Sequence, residues 1–274
     1  MWNQFAWQLI YDMEIEMAIR VYRLIKSPGM IYSLEQLNWI EERNLLAGHL
    51  AQCLDQYDLA QQLFLISSDP LQALDMRMNL FQWNQALILA KRLSPDLIPM
   101  ISREFALQLE FNGDYKDALE HFEKSSIKDD GSEQSKLNNE ICKAGIARNS
   151  IRCGATKKGV DFALQSTDPQ VHQECASILE SIKLYSDAAL LYEKAMDWER
   201  AARLYLKVKN YNKVNKLIDK IDNQDIQHEF ARAKEAEGKY HDAVKSYLKC
   251  QDWINVVRLY LNHLDNPGLR LSNN

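Results

Sequence analysis

Residues 113–124 read GDYKDALEHFEK. An aromatic, Tyr115, is followed three positions later by a small residue, Ala118, and seven positions later by a second aromatic, Phe122. Positions 0, 3 and 7 share one face of an α-helix, so the stretch presents a knob, a flat spot and a knob on one stripe. The pattern recurs as Tyr57, Ala60, Phe64; Tyr185, Ala188, Tyr192; Trp198, Ala201, Tyr205; and Tyr240, Ala243, Tyr247. Looser copies begin at Ile15 (Ala18, Tyr22), Trp83 (Ala86, Ala90), Tyr211 (Val214, Ile218) and Trp253 (Val256, Tyr260). The same spacing marks the second helix of a tetratricopeptide-type repeat, often with a glycine two residues before the aromatic, as at Gly113 and Gly238. One such helix cannot bury its stripe alone, so the units must stack. The expected fold is all-α: a single elongated α-solenoid of stacked helical hairpins over residues 1–274, with roughly sixteen helices.

Composition agrees. Nine Gly and six Pro in 274 residues, with 46% hydrophobic content, leave few chain-breakers and ample apolar surface for a continuous core. No apolar run is long enough to span a membrane, and the N-terminus lacks the order of a signal peptide, so the chain reads as soluble and not secreted. Five widely spaced cysteines, an odd number, suit free thiols in a reducing compartment. Asp69-Pro70, Ser94-Pro95 and Asp168-Pro169 each place a capping side chain before a proline and predict helix starts. Ser27-Pro28-Gly29 and Asn266-Pro267-Gly268 read as turns. The polar stretch 124–140 interrupts the rhythm and predicts a long loop, dividing the solenoid into two arms, 1–123 and 141–265.

A search for reactive constellations returns little. The common phosphate-cradling and metal-binding signatures are absent, and no cofactor, metal or small-molecule substrate is expected. His172 with Cys175, and His49 with Cys53, have helical spacing but supply two ligands each where a structural zinc needs four, so ordinary packing or surface positions explain them better. Glu41 and Glu42 are adjacent and diverge from a helix. The repeat aromatics read as core rather than as base-stacking platforms. The chain therefore reads as a non-catalytic scaffold.

Charge is more informative in its distribution than in its total. The whole chain carries 33 Lys+Arg against 38 Asp+Glu, net −5, which argues against nucleic-acid binding. Residues 194–263 hold 14 basic and 10 acidic side chains, net +4, leaving −9 for the remainder. The basic charges keep register with the repeat. Position 5 after each aromatic is Arg203, Lys216, Lys245 and Arg258, and position 9 is Lys194, Lys207, Lys220 and Lys249. Both positions lie away from the 0/3/7 stripe, so stacking would lay them out as a basic ladder. The plain reading is a solvated face. The sharper one is a docking surface for an acidic partner or an anionic membrane surface. Trp2, Phe5 and Trp7 form a second cluster, read first as a cap on the first repeat and second as a docking patch.

Ordered blocks along the chain point to a family: AIRVYR at 18–23, EERNLLAGH at 41–49, ALDMR at 73–77 and FALQLEFNGDYKDALEHFEK at 105–124. Together they resemble the large subunits of intraflagellar transport complex A (IFT-A), which join N-terminal β-propellers to a long tetratricopeptide-like tail. The resemblance runs from about Trp2 to Pro267 and implies a scaffold in retrograde ciliary transport and in the ciliary entry of membrane proteins. It implies contacts with the solenoids of other large IFT-A subunits, and a location in the cytoplasm and at the basal body and axoneme of the cilium. The family's propellers and cysteine-rich C-terminal part are missing, so the chain reads as a segment of a longer protein, and GLRLSNN at its end does not follow the family pattern. A coatomer-like vesicle-coat solenoid shares the general plan and is the alternative reading.

Overall fold

The computed structural model describes residues 2–128 and 131–264, which excludes the Asn266-Pro267-Gly268 turn and the GLRLSNN end. All regular structure among them is helical: eighteen α-helices and two short 3₁₀ turns. This is the all-α architecture the repeat demands. The helices outnumber the expected sixteen because they are short, fifteen of the eighteen running 9–13 residues.

The chain forms two compact units, residues 1–105 and 106–274. Unit 1 holds α1 (Trp2–Tyr11), α2 (Ile15–Ile25), α3 (Pro28–Leu37), α4 (Arg43–Cys53), α5 (Tyr57–Leu65), α6 (Leu71–Asn79), α7 (Trp83–Leu93) and the start of α8 (Ile98–Asn112). Unit 2 holds the rest of α8, then α9 (Tyr115–Lys124), α10 (Glu133–Arg152), α11 (Thr156–Gln165), α12 (Pro169–Ser181), α13 (Tyr185–Lys194), α14 (Trp198–Lys207), α15 (Tyr211–Leu217), α16 (Gln224–Ala236), α17 (Tyr240–Lys249) and α18 (Trp253–Asn262). The division falls inside α8.

All nine repeat copies begin a helix at their first residue. Two residues earlier, in every case, stands a residue with positive φ: Met13, Asp55, Phe81, Gly113, Lys183, Met196, Lys209, Gly238 and Gln251. Each is the left-handed residue of a turn of three residues, two at Gly113, whose geometry repeats. At the α12–α13 junction the Leu184 N–H donates to the Leu179 carbonyl (2.9 Å) and the Lys183 N–H to that of Glu180 (3.0 Å), a Schellman closure. The Leu184 carbonyl then accepts from the Ala188 N–H, opening the next helix. Gly154 makes the same turn before α11, exposing a tenth copy, Thr156, Gly159, Ala163, that has no aromatic to announce it.

Burial follows the stripe. Ala18, Ala60, Ala86, Ala118, Ala188, Ala201 and Ala243 are fully buried, and at position 7 so are Phe64 and Phe122, with Tyr192, Tyr205 and Tyr247 nearly so. Position 0 is mostly half-buried, and Trp253 is largely exposed. In unit 1 one core gathers Ile10, Tyr22, Leu34 and Leu50, and another Phe64, Leu74, Ala86 and Ile101. In unit 2 a long core runs from Ile151 through Leu179, Tyr192 and Tyr205 to Phe230, flanked by Phe122 with Ala106 and by Tyr247 with Leu259.

Three local expectations need correction. Ser27-Pro28-Gly29 is not a turn: Pro28 is the first residue of α3, because its fixed φ and missing N–H suit that position. The polar stretch 124–140 is not all loop. Ser132 caps α10 by accepting from the Ser135 N–H, and residues 133–140 are helical. Asn138 buries its amide against the Ser125 carbonyl (2.9 Å), which lets a polar sequence pack. Trp2, Phe5 and Trp7 do not cap the first repeat: α1 buries Ala6 and Ile10 and turns these aromatics outward.

Candidate docking surface

The residues singled out for charge lie in unit 2, on α13 to α18. All eight ladder cations are exposed, but they split into two groups. Lys207 Nζ lies 5.3 Å from the centre of the Tyr185 ring, and Lys220 Nζ 4.1 Å from that of Trp198. In both, the position-9 lysine of one copy stacks on the position-0 aromatic of the copy before it. Lys249 pairs with Asp219, and Arg258 with Glu235 at 2.8 Å. These four brace the stack from within. Lys194, Arg203, Lys216 and Lys245 form no hydrogen bond or ion pair with any described residue, and they are the part of the ladder available to a partner.

A series of rungs that sequence reasoning missed lies beside the ladder. Tyr192, Tyr205 and Tyr247, at position 7, donate their hydroxyls to Glu180 (3.3 Å), Glu193 (2.8 Å) and Glu235 (3.1 Å), each twelve residues upstream on the preceding helix. The signal was present, a glutamate five residues before the aromatic that opens the copy. Burial alone would raise the Glu193 carboxyl, but the Tyr205 hydroxyl and the Lys213 ammonium at 3.2 Å outweigh it and hold the group below its ordinary value. Glu235 is held low chiefly by Arg258, against burial and with help from Tyr247. The Tyr247 hydroxyl is pushed up to about 12 by burial and then by its bond to the Glu235 carboxylate.

Between α14 and α16 runs an open groove of about 850 Å³. Arg203 and Lys207 line one side, Asp225, Glu229 and Arg232 the other, with Leu206 and Ile226 between. Two of the ladder cations thus meet on one groove, and Lys194, Lys216 and Lys245 do not line it.

The other candidates resolve into packing. His172 and Cys175 are buried, and burial pushes the Cys175 thiol up to about 12, away from the thiolate a metal needs. His49 packs edge-on against Phe64 with ring centres 4.9 Å apart, and burial likewise raises the Cys53 thiol. Among the described residues no group of three or more His, Cys, Asp or Glu side chains is placed to hold a metal ion, and no helix is long and apolar enough to cross a membrane. Glu42 accepts from the Ser68 N–H (2.9 Å) and hydroxyl, tying the α5–α6 turn to the start of α4.

Comparison with known proteins agrees with this architecture. The family model for the tetratricopeptide-repeat domain of intraflagellar transport proteins 140 and 172 matches residues 152–270. The chain is 47% identical over 266 residues to human WD repeat-containing protein 19, covering 97% of this chain and 19% of that protein. It is 45% identical over 271 residues to the mouse protein of that name, covering 99% and 20%. It is 40% identical over 267 residues to WD repeat-containing protein dyf-2 of Caenorhabditis elegans, covering 97% and 19%. The chain spans about a fifth of the length of these relatives. With stacked short helices carrying the stripe in register, and identity of this order across nearly its whole length, the chain is similar to a segment of WD repeat-containing protein 19.

Proposed function

We propose that this chain is a non-catalytic scaffold segment of an intraflagellar transport complex A subunit, acting in the cytoplasm and cilium. The observation that carries the reading is the 40–47% identity to three such relatives over 97–99% of the chain. The fold supports it. A stack of hairpins held by neighbour contacts offers long, shallow surfaces suited to another solenoid, and an ordinary protein interface buries only ~1,600 Å² in total. On this reading the chain docks onto other large IFT-A subunits in retrograde transport and in the entry of membrane proteins into the cilium. The basic ladder of unit 2 supplies the steering charge, with Lys194, Arg203, Lys216 and Lys245 as its contacting residues.

The test is a pull-down from ciliated-cell extract read by mass spectrometry, using the chain and a variant carrying Lys194→Glu, Arg203→Glu, Lys216→Glu and Lys245→Glu. Lys207 and Lys220 are left alone because they brace Tyr185 and Trp198. Recovery of the other large IFT-A subunits by the parent and their loss from the variant is the expected result. Recovery of coatomer instead would replace the ciliary scaffold with a vesicle-coat one. Equal recovery by both proteins would remove the ladder from the interface, and capture by anionic vesicles alone would assign it to a membrane.

A further inference from the structure

Unit 1 carries an apolar groove of about 290 Å³ between α1, α4 and α5. Ala47 and Leu50 on α4 and Leu54 just after it form its floor, Leu59 and Leu63 one wall on α5, and Tyr11 the other at the end of α1. Tyr11 is 68% exposed and Leu59 42%, so the rim is open. The volume suits one or two bulky side chains, the scale of an interface anchor and at the small end of ligand pockets.

The two turns that border this groove carry charge of one sign. The two left-handed turns that border it, at Met13 and Asp55, carry Asp12, Glu14 and Asp55, all exposed. Among the described residues the Asp12 side chain is touched only by the Gln8 amide and that of Asp55 only by the Tyr57 hydroxyl, so neither is neutralised by a cation there, and Glu14 makes no ion pair with any of them. Residues 1–19 and 44–76 contain no Lys or Arg, while holding Asp12, Glu14, Glu16, Asp55, Asp58, Asp69 and Asp75. Of these, Asp58 is already paired with Arg77. An apolar slot set in an uncompensated acidic rim repels anionic membrane and nucleic acid and attracts a segment that is basic at its edges and apolar in the middle. Helices and the turns between them wall the slot, and among the described residues no strand edge is present for a peptide to extend. Helix-in-groove docking, with anchors one turn apart, is the mode that fits.

We propose that this groove of unit 1 docks a basic amphipathic helix of a protein partner. Its apolar anchors enter between Leu50 and Leu63, and its Lys or Arg flanks meet Asp12, Glu14 and Asp55. The site is distinct from the basic ladder of unit 2 and opposite to it in charge.

The test uses the whole chain and a fluorescently labelled amphipathic peptide with leucines at i and i+4 flanked by lysines, beside the same peptide with glutamates for the lysines, read by anisotropy. The lysine peptide is expected to bind at least about tenfold more tightly than the glutamate peptide and to weaken as salt rises from ~0.05 to ~0.2 M. Leu59→Lys, on the exposed rim, should abolish binding with helicity unchanged. Asp12→Asn with Glu14→Gln and Asp55→Asn should weaken it several-fold and flatten the salt dependence. Ala47→Trp fills the floor and should also abolish it. The four-fold ladder variant should bind as the parent does, which separates this site from the docking surface proposed above. Equal binding of the two peptides, binding indifferent to Leu59→Lys, no binding up to about 1 mM, or preference for phosphatidylserine vesicles would overturn the proposal.

Discussion

At the scale of single residues, two glycines set how closely helices approach. A Cβ on Gly145 would sit 2.5 Å from the ring of the fully buried Phe122, and one on Gly48 would sit 2.6 Å from that of Phe64. Neither ring has room to retreat, so Gly145→Ala and Gly48→Ala should each cost about 1–3 kcal/mol in urea denaturation. Gly238 needs its hydrogen for another reason. Its φ of +75° opens α17 and nothing crowds it, so Gly238→Ala should cost only the left-handed penalty of about 1 kcal/mol. Gly29 lies inside α3 with open space around it, and Gly29→Ala should stabilise by about 0.5 kcal/mol in the same assay.

At the scale of the element, the small residue at position 3, alanine in seven of the nine copies, lets each hairpin close. Ala188→Leu and Ala201→Leu put a large side chain where no surface is exposed, and thermal melts should show a loss of about 1–3 kcal/mol each. Parental melts would mean that the register is wrong. Lys220→Ala should cost about 0.5–1 kcal/mol through its lost contact with Trp198, whereas Lys216→Ala should be neutral. Much of this was legible, because spacing of 0, 3 and 7 is a direct image of helix geometry and the nine copies start nine helices. The copy at Thr156 was invisible because a glycine and two small residues carry it without an aromatic. The turns were half legible. Gly113 and Gly238 announce a left-handed residue, but Lys183, Met196 and Lys209 do the same work through backbone hydrogen bonds that no side chain advertises. The division of the ladder into bracing and outward cations was out of reach, since it depends on which ring the neighbouring helix brings under each lysine. So was the helical run after Ser132, where composition alone argued for a loop.

At the scale of the whole molecule, the shifted groups set a pH window. Glu193, Glu235 and Asp252 are depressed in the folded chain, so their contribution is present above the ordinary carboxylate values of 4.5 and 3.8 and is lost as pH falls through the folded ones. Tyr247 moves the other way. Its contribution is complete below 10 and is lost as pH rises toward about 12. Far-UV circular dichroism against pH should therefore show helix loss in an acidic and an alkaline window with a plateau between, and Tyr205→Phe with Tyr247→Phe should shrink the alkaline one. The tyrosine–glutamate rungs also have a mechanical meaning. Each joins a helix only to its predecessor, and in stacks of this kind stability is a sum of nearest-neighbour terms. Under a tensile load on unit 2 each rung loads only its own pair of helices, so the weakest is expected to yield first while the others hold. The unit lengthens hairpin by hairpin and recoils the same way, behaving as an elastic link rather than a brittle strut.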